Sequence, residues 1–281
     1  MYYNRLEVFL RLRGIMKANK QRLDSEMVAR GLADSRQKAQ ALIMERSVTV
    51  NGVFVTKAGE TVREEDTIEI VGEVCPFVSR GGYKLEKACH SFGLDLTDRV
   101  CADIGASTGG FTDCMLQHGA KKVYAVEVGY GQLDYRMRID ERVISMERTN
   151  ARFLDENSFP EKIEFAASDV SFISLKLILP ALKKVGIPEV VTLIKPQFEA
   201  GREKVGKNGV VREEKTHIEV VRDITSFAAE IGYMPVMLDY SPIKGPKGNI
   251  EFICRYVLDP EAEPVSAEYI EEIVKKAHTE L

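Results

Sequence analysis

The 281-residue sequence predicts an α/β domain with a largely parallel sheet, preceded by a small α+β module. Strand-like apolar runs alternate with helical patterns over most of the chain, as in strand–helix–strand units. A glycine-rich turn, Ala102 to Asp113, follows the first of these runs and leads into a helix. Two consecutive strand-like runs, Met234 to Tyr240 and Ile250 to Val257, indicate an antiparallel reversal at the edge of a seven-stranded sheet.

The composition, 44% hydrophobic and 29% charged residues, is that of an ordinary globular protein and excludes a disordered chain. No apolar run approaches the roughly 18 residues that span a bilayer, and Met1 to Met16 lack the apolar core of a signal peptide. The five cysteines are odd in number and include no C-x-x-C pair, which argues against a disulfide framework or zinc site and for a reducing compartment. We therefore expect a cytoplasmic protein.

No metal is required, because the four histidines do not have the spacing of a metal site or a catalytic triad: His90, His118, His217 and His278.

Positive charge is concentrated near the amino terminus. From Arg5 to Arg46 there are ten Lys or Arg against five Asp or Glu, a local charge of +5 in a chain of net charge −4. Such a segment favours a polyanionic partner, with a solvated helix surface as the alternative. Residues 1–21 match nothing downstream and are interpreted as an amino-terminal extension, within which Met16 offers a second start.

Residues 22–72 have the pattern of the small α+β module. Asp24 can cap a first helix and Ser35 a second. Asn51-Gly52 stands between two alternating apolar runs, which is a strong signal for a two-residue hairpin. Thr67 to Val71 supplies a further strand.

Three strings make this module resemble the RNA-binding domain of ribosomal protein S-four type: R-L-D at 22–24, S-R-Q-K-A at 35–39 and V-x-V-N-G at 48–52. The resemblance implies that basic side chains face RNA phosphates, contacts that give affinity and placement rather than sequence choice. A plain surface charge is the alternative for each of them. The residues concerned are Arg22, Arg36, Lys38 and Arg46.

Residues 73–82 are interpreted as an interdomain linker, because Pro76 breaks regular structure and Ser79-Arg80-Gly81-Gly82 is flexible and basic. The larger domain is expected to span residues 83–281. It is predicted to begin with a helix, Lys84 to Phe92. Further helices are predicted at Ser174–Val185, His217–Ile231 and Ser266–His278, and strands beginning near Arg99, Lys122, Arg142, Ile163, Glu189, Met234 and Ile250.

The glycine-rich turn indicates a ligand site. Glycine is needed where the backbone takes positive φ or approaches a ligand, and the helix start presents free N–H groups. The spacing G-x-x-x-G-G of Gly105, Gly109 and Gly110 departs from the dinucleotide pattern G-x-G-x-x-G, which disfavours NAD. Glu127 ends the second predicted strand, where a Rossmann-like sheet binds a ribose. Dehydrogenases, nucleotide hydrolases and methyltransferases share such a turn, and it can also be only a tight turn.

Four ionisable residues stand at predicted strand ends or just before the sheet: Lys84, Asp169, Lys195 and Glu251. The carboxyl ends of strands in an open α/β sheet gather ligands. This set resembles the Lys-Asp-Lys-Glu tetrad of FtsJ-type RNA ribose 2′-O-methyltransferases. The wider pattern resembles, in order over residues 22–257, the TlyA family, historically named hemolysin A. The strings are R-G-G-Y-K-L, D-I-G-A-S-T-G-G-F-T-D, V-x-V-G-Y-G-Q-L, E-R-T-N-A-R, D-V-S-F-I-S-L, L-I-K-P-Q-F-E and K-G-x-x-G-N-I-E-F.

The resemblance implies a class I methyltransferase sheet that binds S-adenosylmethionine. Asp103 would bind the methionine ammonium or brace the turn, and Asn150 would meet the adenine. Phe111 fits the core better than the ligand site, although the motif includes it. The implied cofactor residues are Asp103, Gly105, Ser107, Thr108, Gly109, Gly110, Phe111, Glu127 and Asn150.

The resemblance also implies roles for the four ionisable residues in methyl transfer to a ribose hydroxyl. Lys195 is the expected general base, since desolvation and a nearby positive charge can make a lysine give up its proton. Lys84 would supply that charge and hold a phosphate. Asp169 and Glu251 would orient the lysines but oppose the deprotonation, and which effect dominates stays open.

The function expected from the resemblance is 2′-O-methylation of ribosomal RNA, at cytidine, with ribosomal subunits as partners. Arg80, in the linker, would couple RNA docking to cofactor binding. The alternatives are a ribosome-associated RNA-binding protein without catalysis, a membrane-active hemolysin and, more distantly, a nicotinamide oxidoreductase. No span or strongly amphipathic basic helix supports the hemolysin.

Overall fold

The computed structural model describes residues 20–44, 47–71 and 75–281. The chain divides into two units, Met1–Val74 and Cys75–Leu281. The division falls inside the segment interpreted as a linker, and residues 75–82 are part of the larger unit.

The smaller unit has a three-stranded antiparallel sheet in the order β3-β2-β5, and β1 pairs with β4. Asn51 and Gly52 both have positive φ, 52° and 76°, so the predicted two-residue hairpin is present. Leu23, Met27 and Ile43 are fully buried between the helices and the sheet. The elements are β1 (Gln21–Arg22), α1 (Leu23–Ala29), α2 (Arg36–Met44), β2 (Val48–Val50), β3 (Val53–Phe54), β4 (Thr61–Val62) and β5 (Ile68–Ile70).

The larger unit alternates strands and helices as the sequence predicts. Two short 3₁₀ turns, Ala151–Phe153 and Arg202–Lys204, interrupt its loops. Its elements are α3 (Gly81–Phe92), β6 (Val100–Ile104), α4 (Gly110–Gln117), β7 (Lys122–Val126), α5 (Tyr135–Ile139), β8 (Val143–Met146), β9 (Phe165–Ser168), α6 (Leu175–Val185), β10 (Glu189–Ile194), α7 (Pro196–Glu199), α8 (Glu214–Glu230), β11 (Met234–Tyr240), β12 (Phe252–Val257) and α9 (Ala267–Glu280).

The sheet has seven strands in the order β11-β12-β10-β9-β6-β7-β8. Strands β6 to β10 are parallel, whereas β12 is antiparallel to both of its neighbours, β10 and β11. The predicted seven-stranded α/β fold is therefore confirmed. The expected antiparallel pair lies at one edge of the sheet: the crossover through α8 places β11 outermost, and β12 lies between β11 and β10.

Both faces of the sheet are buried, which explains the continuous apolar runs of its strands. Alternate residues point to opposite faces. In β6, Ala102 and Ile104 pack with α6, α8 and α9, whereas Cys101 packs on the other side with α3 and α4. Within the described part of the chain, no helix is long and apolar enough to cross a membrane.

The segment before α3 is not a flexible linker. Phe77 and Val78 are 2% and 7% exposed and belong to the core beside α3 and α4. Val78 N donates a 2.7 Å hydrogen bond to Asp113 Oδ2. A Cβ at Gly82 would overlap the Phe77 ring, so glycine lets this segment fold against the helix. The helix consequently begins at Gly81 rather than at the predicted Lys84.

Candidate active site

The four ionisable residues singled out by the sequence meet at one edge of the sheet. Asp169 follows β9 directly, and Lys195 follows β10. Glu251 precedes β12, whose antiparallel direction brings its beginning to the carboxyl ends of β9 and β10. Lys84 reaches the same point from α3. The chain direction of each strand thus explains why residues distant in sequence come together here.

Two lysines and two carboxylates form a continuous ion-pair network. Lys84 Nζ lies 2.7 Å from Glu251 Oε2 and 3.3 Å from Asp169 Oδ2. Lys195 Nζ lies 2.5 Å from the other Asp169 oxygen, Oδ1. Asp169 is therefore shared by the two ammonium groups. Its side chain is 19% exposed, the most exposed of the four, whereas that of Glu251 is only 1% exposed.

The network holds Lys84 in its charged form. Burial by itself lowers the pKa of Lys84, but the Asp169 and Glu251 carboxylates outweigh burial and raise it overall. Burial raises the pKa of Asp169, and the two ammonium groups outweigh that effect and lower it.

Two residues missed in the sequence support the network. Lys195 Nζ donates to Ser171 Oγ at 3.0 Å, and Gln197 Nε2 donates to Glu251 Oε1 at 3.1 Å. Both stand two residues beyond a predicted site residue, Asp169 or Lys195. Their only signal was this position in the strings D-V-S and K-P-Q after strand ends.

Asp103, at the end of β6, braces the turn. It is 1% exposed, and Oδ2 accepts hydrogen bonds from Thr112 N at 2.9 Å and Thr112 Oγ1 at 2.6 Å. Burial raises the pKa of Asp103 to about 7, with Asp169 and Glu127 adding to the effect and Thr112 opposing it. Among the described residues, its Oδ1 has no hydrogen-bond partner. The structure thus shows Asp103 stabilising the turn, which is one of its two expected roles; the other is binding of the methionine ammonium.

The glycines of the turn serve different purposes. Gly105, with φ of 87°, lines the pocket described below, and a Cβ there would lie 3.1 Å from Asp169 O. A Cβ at Gly109 would crowd Leu133 and Met137, each at 2.9 Å. At Gly110 a Cβ would overlap Ser79 Oγ and lie 2.9 Å from Gly82 N. The last two glycines are therefore explained by packing within the protein.

Two further motif residues, Phe111 and Thr108, are not among the residues that line the pocket. Phe111 is 4% exposed and packs in the core with α3 and α4. Its aromatic side chain is thus a core residue and not part of a cofactor site. Thr108 is exposed, and its carbonyl accepts a hydrogen bond from Asp134 N at 3.1 Å.

A pocket of about 670 Å³ opens at the carboxyl ends of the central strands. Glu127 lies at its wall, where Oε2 accepts from Ser107 N at 2.9 Å and Oε1 from Gly129 N at 2.7 Å. Asn150 Oδ1 accepts from Arg152 N at 3.1 Å. The lining includes four predicted cofactor residues together with Asp169 of the network: Gly105, Ser107, Glu127 and Asn150.

The apolar wall of this pocket was missed in the sequence. It comes from the segment after β9 and the first turns of α6, namely Val170, Ile173, Leu177 and Ile178. A pocket with both an apolar wall and a carboxylate suits a nucleoside, whose base is flat and whose ribose offers hydroxyl donors. The residues present therefore fit S-adenosylmethionine: Glu127 would hold the ribose, and the wall would cover the adenine.

The predicted RNA-contacting residues lie in different settings. Arg22 and Arg36 each pair with Asp24 Oδ2, at 2.9 and 3.1 Å, yet their side chains remain 51% and 54% exposed. These arginines and the Gln40 amide hold the pKa of the buried Asp24 well below its usual range, although burial opposes them. Asp24 is thus an internal anchor of α1 and not its cap.

Three predicted RNA-contacting residues remain. Lys38 is half-buried on α2, and its backbone N donates to the Ser35 side chain, as the predicted cap requires. Arg80 stands directly before α3 in the larger unit. Arg46 lies outside the described residues.

Comparison with known proteins assigns each unit to the family that the sequence motifs suggested. The FtsJ-like methyltransferase family matches residues 77–256, and the S4 domain matches residues 21–68. The Bacillus subtilis protein YqxC, provisionally named an rRNA methyltransferase, is 46% identical over 272 residues, which are 95% of this chain and 97% of the relative.

Two other matches extend over nearly the whole chain. The Mycobacterium tuberculosis 16S/23S rRNA (cytidine-2′-O)-methyltransferase TlyA is 39% identical over 268 residues, 94% of this chain and 99% of the relative. A solved Streptococcus thermophilus structure, provisionally named a hemolysin, is 46% identical with a TM-score of 0.75, covering 94% of this chain and 97% of that one.

These matches confirm the predicted family and methyltransferase class, together with the expected cofactor. They span almost the full length of the relatives, so the likeness includes both units. The chain belongs to the TlyA family, a group of FtsJ-like methyltransferases that use S-adenosylmethionine.

Proposed function

We propose that this protein transfers a methyl group from S-adenosylmethionine to the 2′-hydroxyl of a ribose in ribosomal RNA. The observation that carries the proposal is the Lys84–Asp169–Lys195–Glu251 network, which shares Asp169 with the pocket. The name of the Mycobacterium tuberculosis relative supports a cytidine as the target. A ribosomal RNA substrate would place the protein in the cytoplasm.

The network supplies what this reaction needs from a protein. The bound cofactor provides an activated methyl group, and the ribose oxygen must be aligned with it and lose its proton as the new bond forms. Lys195 is the candidate base, because its Nζ is held by one carboxylate and by Ser171 Oγ at the pocket lining. Lys84 stays cationic between Asp169 and Glu251 and would hold a substrate phosphate.

An exposed aromatic side chain beside the network suits the target nucleobase. Phe172 follows Ser171 in the pocket lining and is 90% exposed, although its backbone has a φ of 63°. Its ring centroid lies 5.0 Å from that of Phe198, and Lys195 Nζ lies 5.9 Å from the Phe198 centroid. Enzymes that act on a nucleotide take it out of the base stack, and aromatic rings bind unstacked RNA bases. Phe172 would therefore cover the base whose ribose reaches Lys195.

The smaller unit would dock the RNA. Its S-four resemblance and the exposed guanidinium groups of Arg22 and Arg36 support contacts to phosphates. Lys38, Arg46 and Arg80 remain candidates for the same role. We propose residues 22–72 as the RNA-binding domain and 1–21 as an extension, and we move the start of the larger domain from residue 83 to Cys75, where the larger unit begins.

Lys195→Ala tests the proposal. We expect transfer of tritiated methyl to ribosomal RNA to fall by about 100-fold or more, as for loss of a general base, with S-adenosylmethionine affinity retained. Lys176→Ala, which removes a half-buried lysine paired with Asp223, is the control and should keep full activity.

Unchanged activity in Lys195→Ala would contradict the role of the base. Mapping of methylated ribose by mass spectrometry in RNA from cells with and without the gene identifies the nucleotide. An RNA-binding protein without catalysis would leave every ribose unchanged.

A further inference from the structure

Three side chains that can bind a metal, two thiols and one imidazole, meet between α3 and α4, outside the active site. Cys89 on α3, Cys114 on α4 and His118 directly after α4 bring Sγ, Sγ and Nδ1 within 4.8 Å of one another. Cys114 Sγ lies 3.7 Å from His118 Nδ1. The sequence spacing gave no sign of this cluster, because the packing of the two helices brings Cys89 to Cys114.

We propose that this Cys89–Cys114–His118 cluster binds one Zn²⁺ ion. Zinc takes thiolate and imidazole ligands in a tetrahedron, at about 2.3 Å from sulfur and about 2.0–2.1 Å from nitrogen. Those bond lengths place neighbouring ligand atoms roughly 3.5–3.8 Å apart, which agrees with the 3.7 Å between Cys114 Sγ and His118 Nδ1. Thiolate ligands also select zinc or copper(I) over the oxygen-seeking magnesium and calcium.

The surroundings of the cluster are suited to an ion. Cys89 and Cys114 are 5% and 0% exposed, while His118 is half-buried and gives access from solvent. The exposed His90 has its ring centroid 6.1 Å from that of His118, so His90 or a water molecule would complete the tetrahedron. On binding, both thiol protons leave to solvent, and coordination replaces the 2.9 Å contact of His118 Nδ1 with Cys114 O.

An ion at this position would brace the two helices that frame the active site. Cys89 is on the helix that carries Lys84, and Cys114 is on the helix that follows the glycine-rich turn. Because the thiols and imidazole come from both helices, unfolding of the larger unit would release the ion. Zinc should therefore raise the unfolding temperature, as any ligand that binds only the folded state does.

Metal titration of the reduced full-length protein tests the site. We expect one equivalent of Co²⁺ to give sulfur-to-cobalt charge-transfer absorption, and Zn²⁺ to displace it and raise the unfolding temperature. Cys89→Ser and His118→Asn should each weaken binding by more than the roughly 10–100-fold that loss of a supporting contact around a metal costs. Cys75→Ser, which changes a half-buried cysteine outside the cluster, should bind as the wild type does.

Absence of charge-transfer absorption in the wild type would overturn the proposal. Equal Co²⁺ affinity in the wild type and His118→Asn would also overturn it as stated. If Cys89→Ser does not fold, His118→Asn still tests the site. His118 is only half-buried and lies just beyond the end of α4, so its replacement should disturb the core less than that of Cys89.

Discussion

Phe172 combines full exposure with an unfavourable backbone conformation, a cost that folding alone does not explain. Positive φ for a bulky residue costs of the order of 1–2 kcal/mol, and such strain is found at functional sites. We expect Phe172→Gly to keep or raise the unfolding temperature, because glycine accepts the observed φ of 63°. The same change should raise KM for RNA and leave S-adenosylmethionine affinity unchanged. A variant with normal kinetics would show that the ring does not bind the substrate, and Phe153→Gly, at another exposed phenylalanine, is the control.

His217 predicts how stability depends on pH. It is buried, its Nδ1 lies 2.8 Å from His278 Nε2, and burial, aided by His278, lowers the pKa of His217 from 6.5 to about 4. Between pH 4 and 6.5 the unfolded chain therefore binds more protons, so stability rises with pH across this window and is lost as pH falls through it. The contribution is about 3 kcal/mol.

The measurement for this pH dependence is urea unfolding of His217→Leu at several pH values. The variant should be less stable than the wild type at pH 7, because it loses the contact with His278, and the difference should shrink toward pH 4. His90→Leu, which changes an exposed histidine, is the control: its free energy of unfolding should change with pH as that of the wild type does. If the difference in free energy of unfolding between His217→Leu and the wild type is the same at every pH, His217 is not the cause of the pH dependence.

At the scale of elements, the first turn of α4 packs against α3 so closely that Gly110 leaves no room for a Cβ. Gly110→Ala should lower the free energy of unfolding by roughly 1–3 kcal/mol, as overpacking does, because its Cβ would overlap Ser79 Oγ and crowd Gly82 N. Gly81→Ala is the matched control: its Cβ would have only ordinary contacts, 3.4 Å from Ser79 Oγ and 4.0 Å from Gly110 Cα. Equal stability of the two variants, measured by thermal unfolding, would show that the close approach has no energetic consequence.

Strand ends were predictable, and helix packing was not. Asp169 and Lys195 could be placed because each directly follows an apolar run, and all parallel strands end at one edge. The packing roles of Gly109 and Gly110 and the burial of Phe77 depend on how α3 lies against α4, which no local pattern encodes. For the same reason the sequence alone suggested that the cysteines and histidines were unrelated.

At the scale of the whole molecule, each unit has its own hydrophobic core. The ion-pair network and the pocket are built only from residues of Cys75–Leu281. A fragment of residues 75–281 should therefore fold and bind S-adenosylmethionine as the intact chain does. It should methylate ribosomal RNA with a much higher KM, because it lacks the basic segment that we propose contacts RNA phosphates.

Salt dependence distinguishes docking from general damage to the enzyme. Each phosphate contact that is lost should reduce the slope of log K against log salt by about 1, so the fragment should show a shallower slope than the intact chain. In the intact chain, Arg36→Ala should reduce this slope by about 1. Arg63→Ala, which removes an exposed arginine outside the predicted set, should leave the slope unchanged. A fragment with the KM and salt slope of the intact protein would mean that the larger unit recognises the RNA by itself, and the S-four-like unit would then need another role.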